Sequence, residues 1–267
     1  KRSMNRLDFA KWLVDKNNPL TARVTVNYLW QHFFGIGIVS TPSDFGVQGE
    51  PPSSLELLDW LALEFIENGW DRKYLIRLML NSSAYKQKSV SHSLAKEHFG
   101  LMPRMRLPAE QIRDHFLTVS GLLNSKVGGP SIFPMQPEGF YEERGQNTPG
   151  NSNFEWKVSE SNDRYRKSMY IYWKRMALHP SLSAFDAPTR QVCVSKRSIS
   201  NTPQQALVTL NDPMFDECSR AFSKKLSSFS DISSEGIIDK AFMLCLSRLP
   251  DKHEKKKFLE LLNKDGW

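Results

Sequence analysis

The sequence predicts a mainly α-helical domain, orthogonal or bundle-like, with many helices, long ordered loops and at most a small β element. Apolar residues recur three and four positions apart through much of the chain, which is the spacing of an amphipathic helix. Proline and glycine stand where several of these patterns begin or end, as they do at helix boundaries. Since the chain has 267 residues and 40% of them are hydrophobic, it is long enough to bury a sizeable core.

The first 85 residues carry the clearest helical patterns. Predicted helices cover 3–16, 20–34, 55–67 and 71–81. The wide apolar face of the third helix predicts burial on most sides, with Trp60 and Phe65 in the core together with Trp30 and Phe33. The β-branched residues at 24–26 leave a strand as the competing interpretation for the start of the second helix. Gly35 is the predicted end of that helix.

The C-terminal part alternates further helices with long irregular stretches. Helices are predicted over 108–123, after Pro203, after Pro213, over 235–247 and over 252–263. Residues 168–175 alternate in the manner of a strand and form the expected β element. Because the chain does not begin with Met, we expect one domain over 1–267 that is a fragment of a longer multidomain protein. If this domain is subdivided, we expect an N-terminal helical unit at 1–85 and a C-terminal unit at 105–267.

The charge balance limits the classes of partner. The formal net charge of +7 and the pI near 9.2 permit binding to anionic partners such as acidic glycans. Solvated helix faces are the alternative explanation for the same lysines and arginines. No Cys/His finger or aromatic-basic strand signature accompanies the charge, which argues against nucleic acid. No apolar run is long enough for a transmembrane segment, and the first residues do not form a signal peptide.

The chain has three cysteines, Cys193, Cys218 and Cys245, and they lie far apart. The sequence lacks CxxC and CxxCH, so it predicts neither a c-type haem nor a thiolate zinc site in this chain. Three buried thiols are the favoured expectation, and one disulfide is the alternative. The sequence therefore predicts no cofactor and no metal for this chain.

The loop between the second and third helices, residues 35–54, is the first candidate functional site. Asp44 and Glu50 lie in it, and His32 lies on the helical turn before it. Two carboxylates and a histidine could act as general acid and base or as ligands of a hard metal ion. In the alternative interpretation Asp44 is a turn residue, Glu50 is solvated or ion-paired, and His32 interacts with the helix C-terminus. Their spacing matches no metal-site template.

The segment 190–212 is the second candidate. Arg190, Lys196 and Arg197 precede a predicted helix N-terminus at Thr202. Cations beside free helix N–H groups can bind an anion. The alternative is that their hydrogen bonds tie a long loop to the body of the protein.

Gly128 and Gly129, which precede Pro130, are a third and smaller feature. Successive backbone N–H groups in such a turn could cradle an anion. A plain tight turn is the favoured interpretation.

Long stretches of the sequence resemble a planctomycete-type domain of unknown function. The resemblance is carried by NPLTARVTVNYLWQHFFGIGIVSTPSDFGVQGEPPSSLELLDWLALEFIENGW, RLPAEQIRDHFLTVSGLL, GGPSIFP, KSMYIYWKR, LSAFDAPTR, KRSISNTPQQALVTLNDPMF and AFMLCLSRLPDKHE, which together cover nearly the whole chain. Such domains lie at the C-terminal end of large surface proteins that often carry a cytochrome-c-like module. The resemblance brings no catalytic residues with it.

The resemblance implies export to the periplasm or cell surface, and haem only in an associated domain. The implied partners are other domains of the same polypeptide, among them a cytochrome-c-like module. A binding or scaffolding module, with an acidic glycan as one ligand, is the first functional hypothesis. The second is an enzyme that acts on an extracellular glycan through the groups in loop 35–54. Whether the chain is catalytic stays open at this point.

Overall fold

The computed structural model describes residues 4–87, 89, 102–137, 139–140, 156–174, 177–229 and 232–265. The chain divides into two compact units, 1–106 and 107–267. The prediction of a mainly α-helical protein is confirmed, since the described residues form ten α-helices and no strand. The helices are α1 (Arg6–Leu13), α2 (Thr21–Phe34), α3 (Leu55–Glu67), α4 (Arg72–Asn81), α5 (Ala109–Ser120), α6 (Pro180–Ala184), α7 (Pro203–Asn211), α8 (Pro213–Ser227), α9 (Ser234–Leu246) and α10 (Lys252–Asp265). Within the same ranges no helix has the length and apolar character needed to span a membrane.

The first unit is built on α2, α3 and α4. Ala22, Val26, Trp30 and Phe34 recur every four positions along α2, and all four are buried. The alternative of a strand at 24–26 is wrong, because the backbone is helical throughout Thr21–Phe34. Gly35 ends α2 with φ at 79°, as predicted. This core also contains buried residues of α3, of α4 and of the loop after α2: Leu58, Leu61, Ala62, Phe65, Leu75, Met79, Ile38 and Val39.

The prediction for Trp60 is wrong, because its side chain is 47% exposed. The buried positions of α3 follow the helical period as a single stripe, and Trp60 lies outside that stripe. Leu55 and Leu63 are likewise exposed. The helix is therefore buried on one face and not on most sides.

Helix α1 is shorter than the predicted helix 3–16 and contributes no buried residue. Asn5 begins it with a capping box. At the other end Asn18 accepts a backbone hydrogen bond from Leu20 and donates to the carbonyl of Trp12. These local bonds compete with helix continuation, so the helix ends before the Asn17-Asn18-Pro19 stop.

The second unit packs α5, α6, α7 and α8 around one apolar cluster. Phe116 of α5 meets Phe215 of α8 edge to face at 4.6 Å between ring centroids. Leu117 and Phe215 are almost wholly buried, as are Ile132 and Leu182 from the connecting segments and α6. Helices α9 and α10 pack on each other, with Phe242 against Phe258 at 5.4 Å.

The predicted strand at 168–175 is not formed by the described residues of that stretch. Residues Ser168–Tyr170 make a 3-10 turn instead, and Ile171 makes an isolated β-bridge with Ile132. The bridge consists of the Ile132 N–H donating to Tyr170 and the Tyr172 N–H donating to Ile132, both at 2.8 Å. A strand needs a partner that continues the ladder, and here the contact stops after one residue pair. Residue 175 lies outside the described residues.

The expectation of three buried thiols is also wrong. All three cysteines are free, so the alternative of one disulfide is wrong as well; Cys218 is buried, Cys245 is partly buried and Cys193 is exposed. Cys193 lies in an irregular stretch between α6 and α7 whose neighbouring residues are exposed too.

Candidate functional site

Loop 35–54 is ordered by Asn27, a buried residue of α2. Its side-chain amide donates to the Val39 carbonyl at 3.0 Å, and its side-chain carbonyl accepts the Val39 N–H at 2.8 Å. Gly37 passes so close that a Cβ there would lie 2.5 Å from the Val39 carbonyl oxygen. At the far end of the loop, Ser53 donates both its N–H and its hydroxyl to the Ile38 carbonyl. The loop is thus held by the Asn27 side chain of α2 and by the bonds of Ser53 to Ile38.

The candidate acid–base residues take structural or exposed positions in this loop. One Asp44 carboxylate oxygen accepts the N–H of Gly46 at 2.7 Å, which closes a turn. Glu50 is exposed, and its N–H donates to the Thr41 hydroxyl. His32 is exposed on the last turn of α2, with its ring edge-on to Phe33. The contacts of the three residues thus resemble the structural alternative for each of them.

In the second candidate segment, Arg197 forms an ion pair with Glu110 of α5 at 2.7 Å. Burial alone would raise the pKa of Glu110, but the hydrogen bond from Arg197 and the charges of Arg197 and Arg190 outweigh it and lower that pKa. The guanidinium of Arg197 is therefore engaged by a carboxylate of its own chain.

Arg190 and Thr202 of that segment also have contacts. Arg190 lies 3.8 Å from the ring centroid of Trp173, a cation–π contact. Thr202 is the N-cap of α7, and its N–H donates to the side chain of Gln205 at 3.4 Å. Lys196 is exposed. These contacts tie the loop to the second unit.

The Gly128–Pro130 turn surrounds a cation and not an anion. The buried guanidinium of Arg166 donates to the carbonyls of Pro130 and Gly128 and lies 4.0 Å from the Tyr170 ring centroid. The N–H of Gly128 donates to the Tyr170 hydroxyl at 2.9 Å. Since its carbonyl oxygens accept hydrogen bonds from the arginine, the turn has a structural role: it binds the Arg166 side chain of the same chain.

Arg113 of α5 is a second buried arginine of this unit. It donates to the carbonyls of Arg166 at 2.9 Å and Arg164 at 2.7 Å. Burial is the main reason that its pKa falls to about 10, and the nearby Asp114 carboxylate opposes that fall. Arg113 thus holds the segment 164–168 against α5, and Arg166 holds the same segment against the Gly128–Pro130 turn.

His179 and Asp212 lie buried near each other beside α6. His179 Nε2 lies 3.0 Å from the Met135 carbonyl, which can only accept, so Nε2 carries the hydrogen. Burial is the main cause that lowers the pKa of His179 to about 4. The Ser181 hydroxyl donates to Asp212, which also accepts the Met214 N–H and so begins α8. The serine therefore bonds the carboxylate and not the histidine, so no nucleophile–base pair forms.

An open cavity of about 250 Å³ lies between α5, α8 and α9. Its wall is formed where each helix turns one face inward, because residues three and four positions apart share a face. The lining residues are His115, Phe116, Val119, Ser120, Cys218, Ser219, Phe222, Cys245 and Leu246. Ser219 and Leu246 are exposed, so the cavity opens at the surface of the second unit.

The lining is mainly apolar, and each of its side chains that carries nitrogen or oxygen already makes a hydrogen bond to the backbone. His115 Nε2 lies 3.0 Å from the Cys245 carbonyl oxygen, the Ser120 hydroxyl donates to Leu117, and the Ser219 hydroxyl donates to Phe215. Burial raises the pKa of Cys218 and of Cys245, so both thiols stay protonated at neutral pH. Of the described residues that line it, none is Asp, Glu, Lys or Arg.

Sequence reasoning missed this cavity and the two buried arginines. The apolar face of α5 was visible as periodicity, but nothing local shows that α9 lies across it, 130 positions along the chain. Arg113 and Arg166 appeared only as charges in a basic chain. A polar residue on the apolar stripe of α5, such as Arg113 one turn before Leu117, was the available signal.

No group of three or more His, Cys, Asp or Glu side chains able to hold a metal ion occurs within the described ranges. Comparison with known proteins gives a family match. The model of a family described as PSD1, protein of unknown function (DUF1553), matches residues 5–262. Neither a curated protein nor a solved structure matches the chain.

Proposed function

Since this chain belongs to the PSD1 family of proteins of unknown function (DUF1553), we propose its function from its own geometry: it is a binding module without catalytic activity. The cavity between α5, α8 and α9 carries the proposal. A concave, mostly apolar site of a few hundred Å³ that is already formed is the usual architecture of a small-ligand site. Its lining offers no charged or activated group for chemistry.

The proposed setting is a multidomain protein exported to the periplasm or cell surface, beside a cytochrome-c-like domain. The resemblance of the stretch 18–70 and of the later blocks to planctomycete-type domains supports this setting. The net charge of +7 supports an acidic glycan as a further surface ligand. Any haem would belong to the neighbouring domain.

A thermal-shift experiment tests the binding role. The folded chain is screened against small molecules that span anions, cations, sugars and neutral apolar compounds, since a ligand of the folded state raises Tm. We expect a compound that raises the Tm of the wild type and of the D44N/E50Q variant but not of Ser219→Leu, which fills the cavity. The absence of any such compound would contradict the proposal.

The enzyme hypothesis has its own readout in the same protein samples. Acidic polysaccharides are incubated with wild type and with Glu50→Gln, and released sugars are measured. We expect no release from either protein. Release by the wild type that Glu50→Gln abolishes would replace the binding role with catalysis at loop 35–54.

A further inference from the structure

We propose that the cavity between α5, α8 and α9 binds a neutral apolar molecule of roughly ten carbon atoms, and this rests on the proposed binding function. The volume of the cavity and the chemistry of its lining lead to this ligand class.

The volume sets the size of the ligand. An engineered apolar cavity of about 150 Å³ holds benzene, so a cavity of about 250 Å³ holds a ligand of roughly ten carbons by proportion. Phe116, Phe222 and Leu246 supply apolar surface around this space. A fused two-ring hydrocarbon matches both the size and the surface.

The lining chemistry sets the charge of the ligand. His115, Ser120 and Ser219 are the lining residues with side-chain nitrogen or oxygen, and each already bonds a backbone carbonyl. A charged ligand would lose its hydration there without gaining an ionic partner from the lining. A neutral apolar ligand loses nothing by leaving water and gains contacts with the walls.

The cysteines provide a built-in readout with an internal control. Cys245 lines the cavity and is partly buried, whereas Cys193 is exposed in another part of the second unit. A molecule in the cavity should block a thiol reagent from Cys245 and leave Cys193 accessible. Alkylation by N-ethylmaleimide can be followed separately at each cysteine by peptide mass spectrometry.

The experiment uses the full chain and two matched probes, naphthalene and naphthalene-2-sulfonate. We expect naphthalene at about ten times its Kd to slow alkylation of Cys245 about tenfold, because only the free fraction reacts. Alkylation of Cys193 should be unchanged. The sulfonate has the same rings with a negative charge, and it should protect Cys245 far less at equal concentration.

Two serine variants of α8 locate the binding. Ser219→Leu places a larger apolar side chain in the cavity and should weaken naphthalene binding about tenfold or more, as overpacking typically does. Ser223→Leu makes the same change one turn along α8, outside the lining. It should leave binding unchanged, and circular dichroism of both variants shows whether they are folded.

The outcomes separate this inference from the broader function. Equal protection by the sulfonate, or protection by the sulfonate alone, overturns the neutral ligand class and leaves the binding function intact. No protection of Cys245 by naphthalene also overturns the ligand class. If in addition no compound raises Tm in the library screen, the binding function fails as well.

Discussion

At the scale of single residues, the second unit depends on cations that lie inside it. Arg166 is fully buried and Arg113 is 3% exposed, and both donate mainly to backbone carbonyls. Burying an unpaired cation costs several kcal/mol, which these charge-assisted bonds offset. The two arginines therefore specify one conformation of these loops, because a shift of segment 164–168 would leave both guanidinium groups without acceptors.

His179 makes the stability of the protein depend on pH. Its pKa in the folded chain is about 4, and in the unfolded chain it is near the ordinary value of 6.5. Burial is the main cause, and Arg113 adds to it, whereas Asp212 and the Met135 carbonyl act in the opposite direction. Below about pH 6.5 the unfolded chain therefore takes up a proton that the folded chain refuses.

We expect the free energy of unfolding to fall by about 3 kcal/mol from this residue between about pH 6.5 and 4. The contribution is fully present above that window. Urea unfolding at several pH values should show a flatter pH dependence in His179→Gln. The exposed His253 provides the control, since His253→Gln should keep the wild-type slope. Equal slopes for wild type and His179→Gln would show the prediction to be wrong.

At the scale of elements, one helix orders the loop that follows it. Asn27 is completely buried on α2 and satisfies both the N–H and the carbonyl of Val39. Because the amide mimics a backbone partner, the loop 35–54 folds against α2 without a strand. The loop's fixed shape comes from this contact and from Ser53.

Asn27→Leu should destabilise the first unit by about 3 kcal/mol, because two buried backbone groups of Val39 lose their partners. Hydrogen exchange of the Val39 amide should accelerate more than that of the α4 amides. Asn17→Leu changes an exposed asparagine of the same unit and should have little effect. Equal destabilisation by both variants would contradict the proposed role of Asn27.

At the scale of the whole molecule, each compact unit has its own buried cluster. Leu75 in the first and Leu117 in the second are both fully buried. Each of Leu75→Ala and Leu117→Ala should cost about 3 kcal/mol through lost burial and a residual cavity. Hydrogen exchange measured by mass spectrometry should rise mainly in the unit that carries the substitution. Equal acceleration in α3 and α8 by either variant would mean that the two units unfold as one.

The helical architecture could be predicted from the sequence because its signals are local. Each of these signals involves residues within one or two helical turns of each other. They are the apolar periodicity of α2, Gly35 at its end, and Pro203 and Pro213 at the starts of α7 and α8. Capping and periodicity depend on neighbours in sequence, so they survive without tertiary information. One error fell where the local signal was ambiguous, in the alternating residues 168–175.

The sequence by itself thus determined the fold class, most helix boundaries and the absence of a CxxCH motif. Only the tertiary structure decided which apolar faces are buried, why Trp60 stays exposed, and where Arg113 and Arg166 find their acceptors. It alone brought α9 across α5 and α8 to enclose the cavity. The physical reason is that burial and enclosure depend on residues far apart in the chain, whereas periodicity reports only the face that each helix could bury.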